Sequence, residues 1–154
     1  MIGALIVVAA VLVQVMLVNR VPLPAGAVPD LVLLAVVGVS LMRGPAAGTV
    51  IGFSAGLLAD LMPPTAHLVG QYAFVLAIIG YVAGRGVGGP VTTVVLCVLA
   101  EPLLSAAVSG LVGDPRVTLG ELTDRAPITV VYTLLLAPAV IWLTARGRAP
   151  GYAA

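Results

Sequence analysis

The sequence predicts an all-α polytopic membrane protein, a bundle of about six short transmembrane helices, and three observations predict it. The 154 residues are 61% hydrophobic and only 8% charged, where a soluble domain is about a quarter charged. Mean hydropathy is +1.21. Apolar runs of nearly membrane-spanning length follow one another, separated by Pro, Gly and Arg. Too little polar surface exists to cover a water-exposed globule, so the apolar surface must face lipid or other apolar protein.

Hydrocarbon about 30 Å thick needs about 20 helical residues, with a range near 17 to 25. On that scale the whole chain, 1–154, reads as one integral membrane domain with spans at about 2–18, 27–42, 45–62, 67–83, 91–112 and 128–145. The first ends at Asn19, Arg20, Pro22 and Pro24, and the second at Arg43. Pro63 and Pro64 break the third. Arg85 and a glycine-rich turn follow the fourth. Between the fifth and sixth lies the one sizeable polar stretch, Gly113 to Pro127, expected outside the membrane. Ala25-Gly26-Ala27 resembles a signal-peptide cleavage site, but no basic residue precedes the first apolar run, so that run is read as a retained helix.

Lysine is absent, and the seven basic residues are all arginines. With six spans and both termini in the cytoplasm, Arg43, Arg85, Arg146 and Arg148 fall inside, while Arg20, Arg116 and Arg125 fall outside, a small margin for the positive-inside rule. Asp30, Asp60, Asp114, Glu121 and Asp124 would gather on or near the outer side. No basic cluster fits a nucleic-acid partner. Cys97, the single cysteine, sits in an apolar run as a packing residue, and the single histidine, His67, lies in a turn without a second ligand, so no metal or other cofactor is expected.

Gly44, Gly48, Gly52 and Gly56 recur every four residues and form a small-residue stripe along span three. Such a stripe lets another backbone approach closely, which is how helices associate in lipid. Gly80 and Gly84 repeat the spacing in span four, so spans three and four are expected to share a tight seam, with docking of a partner helix as the rival use. Asp60 continues the stripe by one turn. It is placed either to reach the outer headgroups or to anchor an arginine or a backbone N–H across the seam.

Glu101 lies near the midpoint of span five and is followed by Pro102. An acid at that depth costs about 2.5 to 3.5 kcal/mol and is expected to face the bundle interior, paired or protonated. Pro102 removes one helical hydrogen bond and frees the carbonyl of Val98, which predicts a kink. The pair reads as a polar site that holds helices together or, alternatively, as an ion, proton or ligand site. No HExxH, phosphate loop or GxSxG occurs, and Asp60 and Glu101 are expected at different depths, so no catalytic pair is predicted and the chain is read as non-enzymatic.

The order Pro29-Asp30-Leu31, Arg43, Gly52-Phe53-x-x-Gly56-x-x-x-Asp60-Leu61, Leu68-x-Gly70 and Tyr81-x-x-Gly84 resembles the rod shape-determining protein MreD family, and Tyr132-x-x-Leu135-Leu136-Ala137-Pro138 looks like that family's last span. The resemblance covers nearly the whole chain apart from Gly113 to Pro127. It implies a non-catalytic subunit of the cell-elongation complex in the bacterial cell membrane, acting in side-wall peptidoglycan synthesis. Implied partners are the MreC scaffold, RodA with its transpeptidase and, indirectly, MreB. It also implies an architecture similar to the S components of energy-coupling-factor transporters, so the alternative function is substrate binding for a small, vitamin-type molecule. One Trp and two Phe are few for such a pocket.

Overall fold

The computed structural model describes residues 1–63, 68–115 and 119–146, and among these the regular structure is helical throughout. Helix α1 (Ile2–Met16) runs into two single 3₁₀ turns, Val18–Arg20 and Pro24–Gly26. Then come α2 (Leu31–Arg43), α3 (Pro45–Leu61), α4 (Gln71–Arg85), α5 (Pro90–Val112) and α6 (Leu119–Arg146). Prolines open α3 and α5 at the first helical turn, where a missing N–H removes no bond.

Helix α2 is the axis of the bundle. Every residue from Val32 to Ser40 is buried, the pattern of a helix that is apolar all round and enclosed on every side. The other five helices, α1, α3, α4, α5 and α6, all pack against it, and the α3/α4 contact is the most extensive among the described residues. Successive helices alternate in direction. One end of the bundle therefore carries Arg43, Arg85 and Arg146, and the other carries Asp30 and Asp60; we call them the arginine end and the acid end.

The outward faces are apolar. Leu5, Leu12, Phe53, Phe74, Leu99, Leu103 and Leu135 are all exposed, far beyond the isolated apolar patches that soluble monomers tolerate. Two stretches, Ile2–Arg20 and Pro90–Val112, are long and apolar enough to cross a bilayer, and α2, α3 and α4 are shorter apolar helices. At 1.5 Å per residue, 13-residue α2 is about 20 Å long and 15-residue α4 about 22 Å.

Several elements differ from the sequence expectation. Helix α4 begins at Gln71 rather than near His67, which lies outside the described residues, as do Arg116 and Arg148. The polar stretch Gly113 to Pro127 is not a loop throughout: α6 begins at Leu119 and runs 28 residues through Pro127 and Pro138. Proline removes only its own N–H, so a long helix accommodates it when the freed carbonyl finds another partner. Gly44 does not extend the α3 stripe as a helical residue. It is the residue before α3, at φ +88°, where a side chain would be strained.

Candidate functional site

Helices α3 and α4 meet backbone to backbone. A Cβ on Gly48 would strike the carbonyl of Gly80, and one on Gly80 would strike the carbonyl of Gly48. Gly52 lies against the Leu76 carbonyl, Gly56 against the Ala73 backbone, and Gly84 against Gly44 and Pro45. Glycine after glycine, the stripe is covered from one end to the other by this chain's own α4. A partner helix cannot enter it, which removes the expectation that the Gly44-to-Gly56 groove docks another protein.

At the acid end every helix contributes a polar group. Asp30 precedes α2 and caps it, its Oδ1 accepting from Leu33 N at 2.9 Å. The Tyr72 hydroxyl of α4 donates to Asp30 Oδ2 at 2.5 Å. Asp30 N donates to Thr133 Oγ1 of α6 at 3.1 Å, and Leu31 N donates to Gln14 Oε1 of α1 at 2.8 Å. Two helices, α1 and α6, thus take up backbone N–H groups that the start of α2 leaves without intrahelical partners, and α4 holds the capping carboxylate in place. Buried Pro29 leads into this cap.

The start of α4 is capped from outside. Gly70 sits at φ +95° before the helix and has no side chain to cap it. Asp60, the last buried residue of α3, supplies the acceptor: its Oδ2 takes hydrogen bonds from Gly70 N at 2.8 Å and Ala73 N at 3.2 Å. A carboxylate is favoured there by the helix dipole as well. Of the two uses expected for Asp60, this is a backbone anchor across the seam.

The Glu101 carboxyl is within electrostatic reach of Asp30 and Tyr72, and Tyr72 is within reach of Asp60. Gln71, the first residue of α4, reaches Ser105 and Ser109 in the C-terminal part of α5, and Glu101 lies before them, nearer the middle of that helix. Glu101 Oε1 accepts from Ser105 Oγ at 2.7 Å, a residue of its own helix, so this bond does not hold two helices together as expected. Pro102 lies inside α5, which continues without interruption from Pro90 to Val112.

The contact from α4 to α5 is made by Gln71 instead, which sequence reasoning passed over. Its amide nitrogen donates to Ser109 Oγ and, at 3.4 Å, to the Ser105 carbonyl. Its Oε1 is buried without a partner among the described residues. Gln71 and Tyr72 stand at the start of an apolar helix, and only their position beside Asp30 and Ser109 gives them a role. A sequence signal existed in the run Gly70-Gln71-Tyr72: a glycine stop followed by two polar groups entering an apolar run.

Other motif positions are structural. Tyr81 is exposed, with the Arg85 guanidinium 5.5 Å from its ring centroid. Pro138 is exposed on α6 beside buried Ala137. Cys97 is buried in the hydrophobic core. Among the described residues no group of three His, Cys, Asp or Glu side chains is disposed to hold a metal.

The acid end is therefore a set of helix caps: two carboxylates and three side chains occupied in holding helix starts in register. No curated protein sequence matches the chain, and no solved structure matches it. A family model described as rod shape-determining protein MreD matches residues 1–145, and the chain, with the apolar helices of a membrane protein, belongs to that family, whose role is in determining rod shape.

Proposed function

We propose that the chain is a non-catalytic, six-span subunit of the rod elongation complex, a rigid membrane scaffold that holds MreC and, with it, the peptidoglycan synthases. The observation that carries this reading is the use made of its acids: Asp30 and Asp60 are taken up as acceptors for helix starts, so neither is free for proton transfer. What the molecule presents to its surroundings is a set of apolar helix faces on a tightly closed bundle. A partner would meet those faces or the acid-end turns of α2 and α3, since the glycine groove is filled from within. The start of α1 and the end of α6 belong to the arginine end, and the positive-inside rule supports a cytoplasmic position for it.

The experiment is co-expression of the tagged chain with MreC, detergent extraction and recovery on the tag, alongside restoration of rod shape in cells lacking their own MreD. The reading expects MreC to be recovered with the chain and rod shape to return. A well-folded chain that restores rod shape while failing to retain MreC would overturn the scaffold role. Turnover of a lipid-linked cell-wall precursor by the purified chain would overturn its non-catalytic character.

A further inference from the structure

At the arginine end, opposite the caps, α1 and α2 enclose a cleft of about 360 Å³, within the range of sites that hold small ligands. Its walls are apolar, with Ile6, Val39 and Met42 among them, and Arg43 stands at its rim. Gly3 makes the room. A Cβ at that position would lie 3.0 Å from Val39 Cγ1 and 3.3 Å from Arg43 Nε, so the Arg43 side chain lies close against the start of α1, where a larger residue would crowd it.

The cations at this end are not equivalent. Arg146 stacks over the Trp142 ring at 3.7 Å and Arg85 over Tyr81 at 5.5 Å. Arg43 is exposed and has neither an acidic nor an aromatic partner among the described residues. A cation without a partner, at the rim of an apolar cleft and at the end of a membrane bundle, is complementary to one kind of molecule: an amphiphile with an anionic head and a hydrocarbon tail.

We propose that the α1/α2 cleft is a specific site for one anionic phospholipid, with the headgroup phosphate on Arg43 and the start of an acyl chain against Ile6 and Val39. Guanidinium suits phosphate because its planar fork donates two parallel hydrogen bonds. Bound there, the lipid would tie the first helix, which otherwise has one of the most exposed surfaces of the bundle, to α2. The inference rests on the reading of the bundle as membrane-embedded.

The test uses the full chain purified in detergent, with dioleoylphosphatidylglycerol, dioleoylphosphatidylcholine or inorganic phosphate added, read by native mass spectrometry and by thermal melting. One phosphatidylglycerol should be retained, about tenfold more tightly than phosphatidylcholine, whose quaternary ammonium offsets the phosphate charge and is repelled by Arg43. Arg43→Gln should erase that preference, Arg43→Lys should keep part of it, and Arg85→Gln should leave it unchanged. Ile6→Trp, which fills the cleft, should lower retention of both lipids.

Equal retention of the two lipids by the unaltered chain would overturn the site. So would a loss in Arg85→Gln as large as in Arg43→Gln, which would mean a diffuse surface charge. Stabilisation by inorganic phosphate equal to that by phosphatidylglycerol would replace the lipid with a bare anion. A chain that stays monodisperse without detergent and binds no lipid at all would overturn the membrane reading itself.

Discussion

The Asp60 carboxylate, at the end of α3, accepts a hydrogen bond from Gly70 N at 2.8 Å and so caps a helix other than its own. The bond ties the end of α3 to the start of α4, and the Ala73 N–H shares the same oxygen. Removing a side-chain cap costs about 0.5 to 2 kcal/mol. Asp60→Ala should destabilise the purified protein by about that amount in a thermal melt, and Asp60→Asn, which retains an acceptor oxygen, should recover much of the loss. Equal melting of Asp60→Ala and the unaltered chain would contradict the cap.

The seam next to it tolerates no side chain. At Gly52 and Gly80 even a methyl group meets a backbone carbonyl, which cannot swing aside as a flexible side chain can. Overpacking of a tight interior typically costs about 1 to 3 kcal/mol, so Gly52→Ala and Gly80→Ala should each lower the melting temperature and the yield of folded protein. Gly110→Ala on α5, where a Cβ meets nothing within 4 Å, should be neutral or slightly stabilising. Comparison of the three by fluorescence-detected size exclusion during heating checks the expectation.

Tyr72 ties α4 to the start of α2 through Asp30. Hydrogen bonds to charged groups contribute about 1.5 to 3 kcal/mol, and Tyr72→Phe deletes only the hydroxyl. Its melting temperature should fall. The double variant Tyr72→Phe with Asp30→Asn should lose less than the sum of the two single changes, because both remove one shared bond.

Glu101→Gln should behave differently from these. The Glu101 carboxyl bonds to Ser105 on its own helix, and an amide oxygen accepts that bond equally well. Relieved of its interaction with Asp30, the variant should melt at or above the temperature of the unaltered chain and still support rod shape. A fall of several degrees, or loss of rod shape with folding intact, would give Glu101 a role beyond packing.

The membrane character, the helices and the glycine seam were legible because they rest on local pattern: apolar runs, stops at Pro and Gly, and a four-residue repeat. Asp60 was legible too, since its place one turn beyond Gly56 left a backbone anchor as one of two uses. Glu101 was not. Its surroundings depend on which residues of α2 and α4 pack beside α5, a three-dimensional fact with no local trace. Gln71 and Tyr72 were passed over for the same reason, since polar residues at a helix start are ordinary until a neighbouring helix gives them partners. The helical start of α6 within the polar stretch escaped notice because charges at Glu121, Asp124 and Arg125 read as a loop when no apolar period accompanies them.

The central claim, that the alternating helices carry the acid end and the arginine end to opposite sides of a bilayer, is tested most directly by cysteine accessibility in intact cells. On a Cys97→Ala background, Arg20→Cys and Leu68→Cys mark the acid end, and Arg43→Cys and Val87→Cys the arginine end. A membrane-impermeant maleimide should label the first pair in intact cells and the second pair only after the membrane is opened. Labelling of all four alike in intact cells, or of Arg20→Cys and Leu68→Cys on opposite sides, would contradict it.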